Sequence, residues 1–160
     1  MKEITIQIQY LEYETEMLLP DEDYQLIMKA RDAAKDAYAP YSGFRVGAAV
    51  LLDNGKIIIG NNQENAAYPS GLCAERTCLF YASAQFPNTG VIALAISTLN
   101  RAGTPSGIAK PCGACRQVMA EYEDIAGKPM HIILDSSHKI FVLDGIDNLL
   151  PLRFKKEDVK

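Results

Sequence analysis

Apolar and polar residues alternate over residues 4 to 10, Ile-Thr-Ile-Gln-Ile-Gln-Tyr, and this two-residue period predicts a half-buried strand. The period then changes. Pro20-Asp21-Glu22-Asp23 supplies the proline and acidic groups that suit the first turn of a helix. Behind it Leu26, Ile27, Ala30, Ala33, Ala34 and Ala37 recur at helical spacing, predicting one apolar helix face, with Pro40 as the stop. Tyr41-Ser42-Gly43-Phe44-Arg45 reads as a turn, and Val46 to Leu52 is a nearly continuous apolar run. Asn54-Gly55 is a strong hairpin signal, so Ile57-Ile58-Ile59 is expected to return antiparallel to that run.

Beyond the hairpin lies a polar loop, Asn61-Asn62-Gln63-Glu64-Asn65. A helix is expected from Cys73 to Ala84, a buried strand from Val91 to Ser97, and a Gly/Pro/Ser loop from Asn100 to Lys110. A second helix should run from Cys112 to Tyr122 and end near Gly127. Strands at Met130–Leu134 and His138–Leu143 follow, with a short closing turn at Asp147–Pro151. Strand, helix, strand, helix, strand implies crossover connections and an α/β fold. The expected architecture is a mixed sheet of about five strands with helices on both faces, plus the extra N-terminal strand. No repeat, linker or low-complexity segment divides residues 1–160, so one domain is expected, with residues 1–19 as an N-terminal extension.

The totals narrow the partners. A chain of 160 residues with 48% hydrophobic residues can bury a core without disulfide staples. The net charge is -4, and no block of lysines and arginines occurs. A nucleic-acid binder presents a basic face, so a free small molecule is the expected substrate. No apolar stretch approaches membrane-spanning length, and Met1-Lys2-Glu3-Ile4 does not open a signal peptide. A cytoplasmic location is therefore expected, where clustered cysteines stay reduced and bind metal more often than they pair.

Three of the four cysteines sit in two short segments that each look like a helix start: Leu72-Cys73-Ala74-Glu75-Arg76 and Pro111-Cys112-Gly113-Ala114-Cys115. Cys112-x-x-Cys115 alone also fits a redox pair or half of a structural zinc site. With Cys78 added, a closed Cys₄ site is the stronger rival. Cys78 lies one turn and more beyond Cys73, about 140° around the helix axis, which points the two thiols apart and favours Cys78 as a small buried hydrophobe. Three thiolates would leave one zinc position open for water, the mark of a catalytic ion. Glu75 would then carry the proton that the ion makes acidic. Three thiolates leave surplus negative charge, which Arg76 can offset by donating to sulfur. His131 and His138 lie far from both segments and are expected to be structural or exposed.

Cys73-Ala74-Glu75 together with Pro111-Cys112-Gly113-Ala114-Cys115 resembles the zinc deaminase pattern, and within it the small homotetrameric cytidine deaminases, over about Tyr38 to Phe154. The resemblance implies a three-layer deaminase fold with one Zn²⁺ per subunit on Cys73, Cys112 and Cys115, and Glu75 as catalytic acid–base. It implies that Asn62 and Glu64 hydrogen-bond the ribose, that Phe44 packs on the pyrimidine and that Ala66 belongs to the same substrate-binding run. Tyr68 and Phe154 match positions that reach a neighbour's site in a tetramer. A cysteine rather than a histidine as first ligand favours a free nucleoside over a nucleotide or nucleic acid. The implied reaction is hydrolytic deamination of cytidine and 2′-deoxycytidine in pyrimidine salvage. A deaminase of another aminopyrimidine nucleoside such as blasticidin S, and a non-enzymatic Cys₄ zinc protein, remain the alternatives. Lys155-Lys156 departs from the family's usual tail.

Overall fold

The structure is a computed structural model and describes residues 1–159. Nine elements run in the order β1 (Leu11–Tyr13), α1 (Asp21–Lys35), β2 (Arg45–Leu52), β3 (Ile57–Asn61), α2 (Ala74–Gln85), β4 (Val91–Leu99), α3 (Gly113–Ala126), β5 (His131–Leu134) and β6 (Ile140–Asp144). The strands form one mixed sheet in the order β1-β6-β5-β4-β2-β3. Only β4 and β5 are parallel, joined by the α3 crossover; every other pair is antiparallel. The Asn54-Gly55 hairpin forms as expected, with Gly55 at φ +80°.

Helices cover both faces, so the central strands read as unbroken apolar runs rather than alternating ones. Side chains still alternate. Ala48, Val50, Leu94, Ile96 and Ile132 face α2 and α3. Ala49, Ala93, Ala95 and Ile133 face α1, where Leu26, Ile27 and Ala30 pack on them. The α1 face is lined with methyl groups, and the helix backbone lies almost directly on β2. Gly47 is the point of closest approach: a Cβ there would run into the Ala30 carbonyl oxygen and sit 2.5 Å from the Ala34 nitrogen. Backbone cannot yield as a flexible side chain can, so Gly47→Ala should cost about 2–3 kcal/mol. That lowers the melting temperature by about 5–10 °C. A variant that melts with the wild type would show that α1 moves freely.

The long helix ends earlier than its pattern predicts. Its last residue is Lys35, not one next to Pro40, and Ala37 lies outside it. Backbone pairing draws the chain away: Tyr38 N–H donates to the Asn62 carbonyl at 3.1 Å, and Glu64 N–H donates to the Tyr38 carbonyl at 2.8 Å.

The N-terminal strand is also displaced. Residues 4 to 10 form no strand; β1 is the three residues that follow them. Leu11 pairs with Val142 and Tyr13 with Ile140, so in that register residues 4 to 8 would lie beyond the end of β6. There the chain turns away at Gly145, φ +87°. What remains is one hydrogen bond, Gln9 N–H to Asn148 Oδ1 at 2.9 Å, and Tyr10 tilted on Phe141 with ring centroids 4.6 Å apart.

His131, at the start of β5, ties α1 to the sheet. Its Nε2 lies 3.1 Å from the Asp23 carboxylate and its Nδ1 2.7 Å from Asp144. Asp23 first, and then Asp144, hold the imidazole pKa up at about 9. The folded value lies above the ordinary 6.5, so the stability contributed is complete below that pH and is lost as pH rises to about 9. With a third of the ring exposed, it amounts to about 1 kcal/mol. His131→Asn should therefore lie closest to the wild type in urea unfolding at about pH 9.5 and furthest from it at about pH 6. A gap independent of pH would rule this ion pair out as the cause.

Candidate active site

The two helix starts meet at one point. Cys73 is the N-cap of α2 and Cys112 the N-cap of α3; both have extended backbone, and neither side chain makes a capping hydrogen bond. Cys115 sits in the first turn of α3, fully buried. The Cys73 and Cys112 sulfurs are 3.8 Å apart, and those of Cys112 and Cys115 are 3.5 Å apart. Zn–S bonds of about 2.3 Å in a tetrahedron put sulfurs about 3.8 Å from one another, so the spacing fits one zinc ion. Among the described residues this is the only such group of three or more possible ligands. Cys78 does not join it. It is wholly buried and its Sγ donates to the Ile58 carbonyl at 3.1 Å, as expected of a small core residue, and a closed Cys₄ site does not form.

The electrostatics suit a cation. The Cys73 thiol is held well below its ordinary range, first by its hydrogen bond with Cys115 and then by Arg76. Arg76 Nη2 donates to Cys73 Sγ at 3.5 Å. Arg76 Nε, buried beside it, has no hydrogen-bond partner among the described residues. Glu75 is only 4% exposed. Burial pushes its carboxyl above the usual range, and the Cys73 thiolate adds to this. A carboxyl moved towards neutrality can take up and release a proton, unlike an ordinary surface glutamate.

A cavity of about 710 Å³ opens in front of the cysteines. Beyond the two helix starts, its walls come from the loop Tyr41–Phe44, Val46 of β2, the stretch from Asn62 to Leu72, Ile96 and Thr98 of β4, and Ile108–Lys110. Phe44, Asn62, Glu64, Tyr68, Cys73, Glu75, Arg76 and Cys112 all line it. Asn62 is partly committed elsewhere. Its Oδ1 accepts from Val46 N–H at 2.7 Å and its Nδ2 donates to the Phe44 carbonyl at 3.0 Å, leaving one acceptor site and one N–H free. Ala66 and Phe154 do not line the cavity of their own chain. Phe154 is exposed, its carbonyl accepting from Gln117 Nε2 at 3.0 Å. Arg116 donates to the Pro111 and Leu149 carbonyls at 2.9 and 2.7 Å, which braces the approach to Cys112. His131 and His138 are absent from the lining. Ser42, Thr98, Ile108 and Lys110 line it without having been singled out in the sequence. A turn composition flags Ser42 only as a turn residue, and nothing local marks the other three.

The profile of the cytidine and deoxycytidylate deaminase zinc-binding region matches residues 20–127. A cytidine deaminase of Halalkalibacterium halodurans is 48% identical over 134 residues, covering 84% of this chain and 95% of that one. A cytidine deaminase of Sporosarcina psychrophila is 38% identical, covering 84% and 93%. The crystal structure of a cytidine deaminase from Burkholderia pseudomallei superposes with a TM-score of 0.68 at 38% identity, covering 82% of this chain and 98% of that one. The cysteine cluster, the fold and these relatives together place this chain in the zinc-binding cytidine and deoxycytidylate deaminase family.

Proposed function

We propose that this protein hydrolyses cytidine and 2′-deoxycytidine to uridine and 2′-deoxyuridine with release of ammonia. The observation that carries the reading is a buried, proton-hungry Glu75 beside three convergent cysteine sulfurs, with Glu75, Cys73 and Cys112 lining a cavity that has room for a nucleoside. Cys73, Cys112 and Cys115 would hold the zinc. When bound, the ion supplies Lewis acidity and an acidified water. Glu75 accepts a proton from the attacking water and hands it to ring N3; it then takes the remaining proton of the new C4 hydroxyl and gives it to the amino group leaving C4. Water adds its oxygen to C4, and the C4–N bond breaks to give ammonia. Arg76 drains charge from the Cys73 sulfur. Phe44 faces the pyrimidine, and Asn62 and Glu64, bonded to the same loop, meet the sugar hydroxyls.

Quaternary structure and setting belong to the same proposal. Tyr68 and Phe154 are 77% and 61% exposed, so each has surface to offer a neighbouring subunit. A homotetramer with shared sites uses them. An acidic chain with four free cysteines, and no helix among the described residues long and apolar enough to cross a membrane, fits a cytoplasmic enzyme of pyrimidine salvage acting on free nucleosides.

Ultraviolet absorbance of cytidine incubated with the purified protein, with and without a zinc chelator, tests the reading. The spectrum should shift to that of uridine with one ammonia per nucleoside, and the chelator should abolish the shift. Zinc-loaded protein that leaves cytidine unchanged would overturn it.

A further inference from the structure

The loop Tyr41–Phe44 is wound around the Glu64 carboxylate. Glu64 Oε2 accepts from Tyr41 N–H at 2.8 Å and from Ser42 N–H at 3.3 Å. Glu64 Oε1 accepts a short hydrogen bond from the Ser42 hydroxyl. The same hydroxyl oxygen accepts from Phe44 N–H at 2.9 Å. Ser42 therefore joins the carboxylate to the residue that forms the aromatic wall, and all three line the cavity. The loop is braced from outside as well. Gly43 turns at φ +67°, a conformation that glycine adopts at little cost. Arg101 lies over Gly43 and donates to the Ser42 carbonyl at 3.3 and 3.4 Å.

Three donors occupy most of the acceptor sites of one carboxylate. The one acceptor site left, on Oε1, is fixed in direction, because the hydroxyl that holds Oε1 is itself held by Phe44 N–H. We infer that Ser42 is a positioning residue that aims Glu64 at a sugar hydroxyl and so sets the enzyme's discrimination for hydroxylated sugars. This rests on the reading of Glu64 as a sugar-binding group. Without the Ser42 hydroxyl, Oε1 loses its anchor and the carboxylate rotates on Oε2. A nucleoside that uses Glu64 suffers; one with no ring hydroxyls does not.

Cytidine and 2′,3′-dideoxycytidine are the probes. Ser42→Ala should raise KM for cytidine about tenfold, the equivalent of one hydrogen bond to a charged group. The kcat should change less than threefold, and kcat/KM for dideoxycytidine should stay near wild type. Ser42→Thr, which keeps the hydroxyl, should restore most of the loss. Glu64→Gln run alongside separates the two layers. If Glu64→Gln also fails to narrow the preference for cytidine, the sugar reading of Glu64 falls and the inference with it. If Glu64→Gln narrows it and Ser42→Ala does not, the Ser42 assignment alone is overturned. Equal losses on both substrates in Ser42→Ala would likewise overturn it, by showing general damage to the wall.

Discussion

Glu75→Gln should keep its zinc and lose about 10²–10⁴-fold in kcat, the range of a positioned proton carrier. The amide is nearly isosteric and remains in the same buried pocket on the first turn of α2. It cannot accept a proton from water. None of the sulfurs is touched, so metal content measured by atomic absorption should stay at one ion per chain. Binding of the product, uridine, should also survive, because Phe44, Asn62 and Glu64 are unchanged. Turnover near the wild-type rate would remove Glu75 from the mechanism. Loss of activity together with loss of zinc would assign it to the metal's support instead.

The largest effect on stability should come from a residue outside the cavity. Asp135 follows β5 and is wholly buried. It accepts from Arg31 Nε and Nη2 of α1 at 2.8 and 2.9 Å, and from the Ser97 hydroxyl at 2.7 Å. Arg31 reaches on to Glu16, so one guanidinium joins the N-terminal segment, α1 and the sheet. Asp135, followed by Glu16, holds the Arg31 pKa far above its already high ordinary value. Asp135→Ala leaves that largely buried cation and a buried hydroxyl without their partner and should cost about 3–5 kcal/mol in urea unfolding. Truncating Arg31 to Met in the same chain should recover a good part of the loss, since the uncompensated charge goes with it. A single variant within about 0.5 kcal/mol of wild type would mean that water or Glu16 satisfies Arg31 unaided.

Local chemistry was legible in the sequence wherever it depends on short spacing. Cys73-x-Glu75 and Cys112-x-x-Cys115 announced the cluster because a helix start fixes where its first few side chains go. The angle between Cys73 and Cys78 was enough to separate a cavity thiol from a core thiol. Features made by distant pairings were not legible. Tyr38 leaves the helix because Asn62 and Glu64 claim its backbone, and no pattern in residues 21–40 records that. Residues 4–10 have the period of a strand, but in the register that β1 sets, residues 4–8 run past the end of β6. The grip of Ser42 on Glu64 spans 22 residues and that of Asp135 on Arg31 spans 104, so both follow from the fold and not from the neighbourhood of either residue.

The cysteine pair at the two helix starts also bears on the unfolded chain. Cys73 and Cys112 are 39 residues apart, and the segment between them holds α2, β4 and the long loop before α3. Fixing both on one ion closes a ring of that length. Loop-closure entropy for such a ring corresponds to about 4 kcal/mol, similar to that of a disulfide of the same span. The cluster thus doubles as a staple that forms without an oxidant and opens to a chelator. Metal depletion should therefore loosen the segment between the two helix starts, exposing β4 amides to hydrogen exchange, as well as stopping the enzyme's chemistry.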